Sequence, residues 1–178
     1  MPLRALPLLL ALAFLVPPPA PAGAELAPGD PAPAFALPGS DGAVHRLDDH
    51  RGQRAVVIAW FPAAFTPGCT AELRDLRDHA DAIAGYDVAV YLASVDPPEK
   101  NEAFARAEGA RQVILSDPEG DTARAYGVVG PGGLFAHRWT FYVDPEGRIL
   151  AVDRQVSTGT AGRDLLRKLD ELGVPKRP

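Results

Sequence analysis

The chain has one cysteine, Cys69, in 178 residues. An internal disulfide is therefore impossible, and so is a cycling C-x-x-C pair. Basic residues are outnumbered, 18 Lys and Arg against 23 Asp and Glu, for a formal net charge of -5. No basic stripe is available to neutralise phosphates, which argues against a nucleic-acid partner. The four histidines, His45, His50, His79 and His137, have no ligand spacing, so no metal is expected. No glycine-rich phosphate loop follows a strand, and no cofactor is expected. No internal repeat and no second domain are visible. The apolar run Leu6–Val16 is too short to span a bilayer and is broken by Pro7.

That run reads instead as the core of an export signal. Arg4 gives it a positive start, and Ala22-Gly23-Ala24 fits the A-x-A cleavage rule, with the cut before Glu25. Residues 1–24 are therefore expected to be a signal peptide, with an uncleaved anchor as the other reading. Residues 25–178 then form one domain, exported to the periplasm or secreted, with no membrane contact after cleavage. Exported proteins usually carry cysteines in pairs. A lone one is either buried and inert or reactive towards an external partner.

What is present is an ordinary globular composition, 47% apolar and 23% charged. Phe35-Ala36-Leu37 and Val44-His45-Arg46-Leu47 flank a Pro-Gly-Ser-Asp-Gly turn and predict a hairpin. Ala55 to Phe61 has no alternation and predicts a strand buried on both faces. From near Cys69 to Gly85, Leu73, Leu76, Ala80 and Ile83 mark one face of a helix. Its other face offers Arg74 with Asp78 and Arg77 with Asp81 as i,i+4 pairs. Val88 to Val95 predicts a second buried strand. Asp96-Pro97-Pro98-Glu99 predicts a helix start with Asp96 as N-cap, the helix burying Ala103, Phe104 and Ala107 up to Gly109. Val113 to Leu115 is a short strand, Thr122 to Tyr126 a short helix, and Val128 to Phe135 a loop. Two strands follow, Arg138 to Val143 and Arg148 to Val152, joined by Asp144-Pro145-Glu146-Gly147. Leu165, Leu166, Leu169 and Leu172 mark a last helix. Parallel strands joined by crossover helices, then an antiparallel hairpin, predict a three-layer α/β sandwich with a mixed central sheet and an N-terminal β-hairpin.

One stretch carries chemistry, Pro62-Ala63-Ala64-Phe65-Thr66-Pro67-Gly68-Cys69. A strand feeding a turn feeding a helix sets the Cys69 sulfur at a helix N-terminus. Unpaired backbone N–H groups there favour an anion, and a thiolate is one. Pro62-x-x-x-Thr66-x-x-Cys69 resembles the active-site signature of the peroxiredoxins, the alkyl hydroperoxide reductase and thiol-specific antioxidant superfamily. Thr66-Pro67-Gly68-Cys69-Thr70-x-Glu72 is most similar to its bacterioferritin-comigratory (PrxQ) branch. Ser94-Val95-Asp96, Leu115 to Gly120, Ala125 to Val128 and Arg138 to Asp144 stand in that family's order, so the likeness spans roughly residues 28 to 172. The resemblance implies a thioredoxin-like fold and reduction of hydrogen peroxide or alkyl hydroperoxides.

Each site residue has two readings. A free cysteine is usually a small buried hydrophobe; after Thr-Pro-Gly at a helix mouth, Cys69 is read as the nucleophile that becomes a sulfenic acid. Thr66 either caps the helix by accepting the Cys69 N–H or, as the resemblance implies, touches the thiolate or the peroxide. Pro62 either only breaks the strand or shields the sulfur from water. Arg138, a strand-end cation, is read as the group that steadies negative charge on sulfur and on the leaving oxygen. Glu72 either complements the helix dipole or orients Arg138.

The chain departs from many relatives of this branch at Arg74, where they carry a second cysteine. A one-cysteine cycle follows, with an external thiol or thioredoxin-like reductant, in a monomer or homodimer. The rival reading is a redox sensor or interaction module that forms a mixed disulfide through Cys69 without turnover.

Overall fold

The computed structural model describes residues 25–129, 131–133 and 135–177. The expected signal peptide and Gly130 and Leu134 of the expected loop lie outside them. In chain order the elements are β1 (Ala36–Pro38), β2 (Val44–Arg46), β3 (Ala55–Trp60), α1 (Pro67–Asp78), α2 (Ala80–Ala84), β4 (Val88–Ser94), α3 (Pro98–Glu108), β5 (Val113–Ser116), α4 (Asp121–Ala125), β6 (Thr140–Val143), β7 (Ile149–Asp153) and α5 (Ala161–Glu171). β1 and β2 form the antiparallel hairpin. The other strands make one sheet in the order β5-β4-β3-β6-β7. β3, β4 and β5 run parallel, while β6 and β7 are antiparallel additions.

Every residue of β3 is buried, because both faces of the sheet are covered. The period of two sorts its side chains. Ala55, Val57 and Ala59 face Leu73 and Leu76 of α1, Ile83 of α2, Phe104 of α3 and Leu165 and Leu169 of α5. Val56, Ile58 and Trp60 face Leu37 of the hairpin, Ala123 of α4, Tyr126 and Phe141. The fold is the expected mixed α/β sandwich, with one outer layer of four helices and the other built from the hairpin, the lead-in at Leu26 and α4.

Local expectations failed where distant chain intervenes. The predicted helix to Gly85 is interrupted at His79, whose Nδ1 lies 2.8 Å from Asp75 O. The N-terminus of α5 presses on this point: a Cβ on Gly162 would meet Asp75 O and His79 Nδ1, each at 2.7 Å. Neither predicted i,i+4 pair forms. Arg74 Nε reaches Glu108 Oε2 at 2.6 Å, Arg77 Nη1 donates to Glu108 O at 2.8 Å, and Asp81 pairs with Arg111. The two arginines thus meet the carbonyl end of α3, where cations are favoured. Ala103 and Ala107 are exposed; the inward stripe of α3 is Asn101 and Phe104. A polar Asn101 is tolerated there because its Nδ2 donates to Ser94 Oγ and Ser116 Oγ, at 3.0 and 2.8 Å.

Candidate active site

β3 ends at Trp60, and Phe61 N still donates to Ala93 O of β4. The half-buried Pro62 follows, and the chain then turns into α1 within four residues. Phe65 takes φ 66°, the one non-glycine residue with positive φ among those described. Such a backbone is strained for an aromatic residue and persists only where its surroundings hold it. Two contacts do so. The Phe65 ring packs on Phe104, centroids 5.1 Å apart. The preceding Ala64 N–H donates to the buried Asp96 Oδ2 at 2.7 Å.

Asp96 is therefore not the cap of α3; that position is Pro97, with no side-chain cap. Its carboxylate instead also receives Ser94 Oγ at 3.2 Å and Lys100 Nζ at 2.5 Å. Sequence reasoning missed this role. The available signal was its place three residues past Ala93, which pairs with Trp60 at the strand end that feeds the site.

Thr66 is the N-cap of α1 with extended backbone, and Pro67 begins the helix. No side chain caps the helix. Thr66 Oγ donates to Ala63 O at 3.0 Å, so the reading in which it accepts the Cys69 N–H is wrong; the hydroxyl bonds back to its own turn. Cys69 stands in the first turn and is 1% exposed. Backbone donors without intrahelical partners surround such a position.

The third component comes from the segment beside the end of β3, where Trp60 N–H donates to Trp139 O. Arg138 lies in the segment just before β6 rather than on the strand, as had been predicted. Its Nη2 donates to Cys69 Sγ at 3.3 Å, and its Nη1 donates to Glu72 Oε2. Gly68 makes room for this, since a Cβ there would sit 3.3 Å from Arg138 Nη2. Glu72 is buried one turn after Cys69. Burial pushes its carboxyl up to about 7, against the attraction of Arg138. Burial works against the charge of Arg138, but the pull of Glu72 and its bond to Cys69 outweigh it and raise its pKa further. Of the two readings of Glu72, the geometry supports the partner of Arg138. Behind Glu72 lies a cavity of about 20 Å³ among Thr140, Asp153, Ser157 and Asp164, enough for one water. Among the described residues no group of three or more His, Cys, Asp or Glu could hold a metal.

A thiol at a helix mouth, bonded to a guanidinium that a buried carboxylate holds, on this mixed sheet, defines a thioredoxin-like thiol enzyme. The AhpC/TSA family pattern matches residues 28–152. The chain is 38% identical to peroxiredoxin Bcp of Escherichia coli over 127 residues, 68% of this chain and 81% of that one. Among solved structures it is similar to peroxidoxin BcpB of Mycobacterium tuberculosis, with a TM-score of 0.75 and 31% identity over 83% of this chain and 98% of that one. It is also similar to the bacterioferritin comigratory protein of Xanthomonas campestris, studied for alkyl peroxide reduction, with a TM-score of 0.71 and 25% identity over 77% and 90% of the two chains. The chain thus belongs to the AhpC/TSA family and is a peroxiredoxin, an oxidoreductase of the thiol-peroxidase class.

Proposed function

We propose that Cys69 is the peroxidatic nucleophile of a one-cysteine peroxidase acting on hydrogen peroxide or alkyl hydroperoxides. The observation that carries this is the Arg138 guanidinium bonded at once to Cys69 Sγ and to Glu72. The thiolate attacks one peroxide oxygen, the O–O bond breaks and an S–O bond forms. The leaving alkoxide or hydroxide takes a proton and departs as alcohol or water. Arg138 is a positive charge set beside both the attacking sulfur and the site where negative charge develops. Thr66 and Pro62 belong to the turn ahead of Cys69, where the family signature sets them beside the incoming peroxide; Gly68 leaves space for the guanidinium, and Glu72 orients it.

With one thiol in the chain, the sulfenic acid is reduced from outside. A first external thiol forms a mixed disulfide and releases water, and a second thiol frees Cys69. We further infer export, with the mature chain starting at Glu25 and working as a monomer or homodimer; intact mass of the chain recovered from the cell envelope tests that start. Catalysis is tested by following peroxide loss with dithiothreitol. Cys69→Ser should abolish it, and full activity in that variant would overturn the proposal.

A further inference from the structure

At the end of the sheet remote from Cys69 the described residues gather a second concentration of charge. An open groove of about 350 Å³ is lined by Arg54, Arg111, Arg177, His45, His50 and Gln112. No carboxylate lines it, on a chain whose formal net charge is -5. It lies over Val88–Val90, the stretch of β4 left between two neighbours. β5 pairs with β4 only from Tyr91, and the C-terminal tail bonds at Asp87, whose N–H donates to Pro175 O.

The existing partners of these cations are weak competitors. Arg111 meets Asp81 at 3.0 Å, but the Asp81 side chain is 91% exposed. Arg177 meets Asp87 at only 3.9 Å. Exposed pairs of this kind are weak and screened by salt. Arg54 has no ion pair with any described carboxylate, and its Nε is buried without an acceptor. Beside it, His50 Nε2 is 2.8 Å from Tyr91 OH, which lies 3.2 Å from His45 Nδ1, and His45 Nε2 meets Asp41 at 3.0 Å.

We propose that this groove binds a small multivalent oxyanion, a free phosphate or pyrophosphate group, through Arg54, Arg111 and Arg177. Planar guanidinium forks match phosphate oxygens in pairs. The volume is that of a small-ligand site. A multivalent anion supplies the counter-charge that Arg54 lacks and that Arg111 and Arg177 draw only from surface carboxylates outside the groove lining, which a neutral peroxide does not. β3 separates the two sites: Ala55 pairs with Val88 at the groove end and Trp60 with Ala93 at the end that feeds Cys69.

The test uses pyrophosphate at fixed ionic strength, read by calorimetry and by the NMR titration of His50. Burial and the Arg54 charge hold the His50 imidazole below its usual range, Asp49 opposes them and His45 adds to them. A bound anion favours the imidazolium, so saturating pyrophosphate should move the His50 titration upward. Arg54→Met should weaken binding roughly tenfold or more. Arg111→Ser, at an exposed position, should also weaken it and decides the matter if Arg54→Met does not fold. Peroxide consumption should match wild type in both variants. Equal heats and equal His50 shifts with sodium chloride at matched ionic strength would overturn the proposal. So would unchanged pyrophosphate affinity in folded Arg54→Met, or in Arg111→Ser where Arg54→Met does not fold.

Discussion

Arg138 is one cation between two acids, Cys69 and Glu72. While Glu72 is protonated the whole guanidinium charge faces sulfur; once Glu72 ionises, part of that charge is taken up. Alkylation of Cys69 by iodoacetamide should therefore show an inflection near about 7 that Glu72→Gln lacks. Stability follows with a definite sign. A carboxyl raised in the fold is protonated there while its unfolded counterpart has already ionised, so the fold loses stability as pH rises from the ordinary carboxylate range to about 7. Urea unfolding of wild type should weaken across that window by up to about 3 kcal/mol relative to Glu72→Gln, and be flat above it. Asp96 is the other residue whose charge fixes the site, through Ala64 N–H. Asp96→Ala should cost about 2 kcal/mol in urea unfolding. It should also lower kcat/KM roughly tenfold or more, because Thr66 and the start of α1 lose their anchor.

At the scale of elements, α1 carries the sulfur, and α5 holds α1 in place. Gly162 N–H donates to Asp75 Oδ2 at 2.7 Å, and the two backbones touch at that point. Gly162→Ala should destabilise the protein by about 2 kcal/mol, read as a lower urea midpoint with unchanged slope, since neither backbone can yield to a methyl group. Contacts of this kind also mark where the sequence stopped being informative. The succession of strands and helices along the chain, the hairpin and the Cys69 helix mouth were legible because each rests on local periodicity, turn residues or a contiguous signature. The partners of Arg74, Arg77 and Asp96 were not, because Glu108 and Ala64 lie more than thirty residues away from them and only the packed layers bring them near. The stripe on α3 misled for a related reason. Asn101 reads as an outward residue until the hydroxyls of Ser94 and Ser116 are seen beneath it.

For the molecule as a whole, the thiol is single and almost wholly enclosed. A small peroxide needs only the helix mouth, whereas a second chain would have to bring its own enclosed Cys69 to bonding distance. Both N-termini of α1 would have to open for that, at the expense of the Ala64–Asp96 and Arg138–Cys69 bonds. Equimolar peroxide without thiol should therefore leave a chain heavier by one oxygen atom, the sulfenic acid, with no covalent dimer. Dithiothreitol should restore the starting mass, being small enough to follow the route the peroxide took. Excess peroxide should add a second and a third oxygen, because no internal thiol competes for the oxidised sulfur. Intact-mass spectrometry resolves each species. A disulfide-linked dimer as the main product would show that the mouth of α1 opens far more readily than its bonds imply, and that two chains resolve one another.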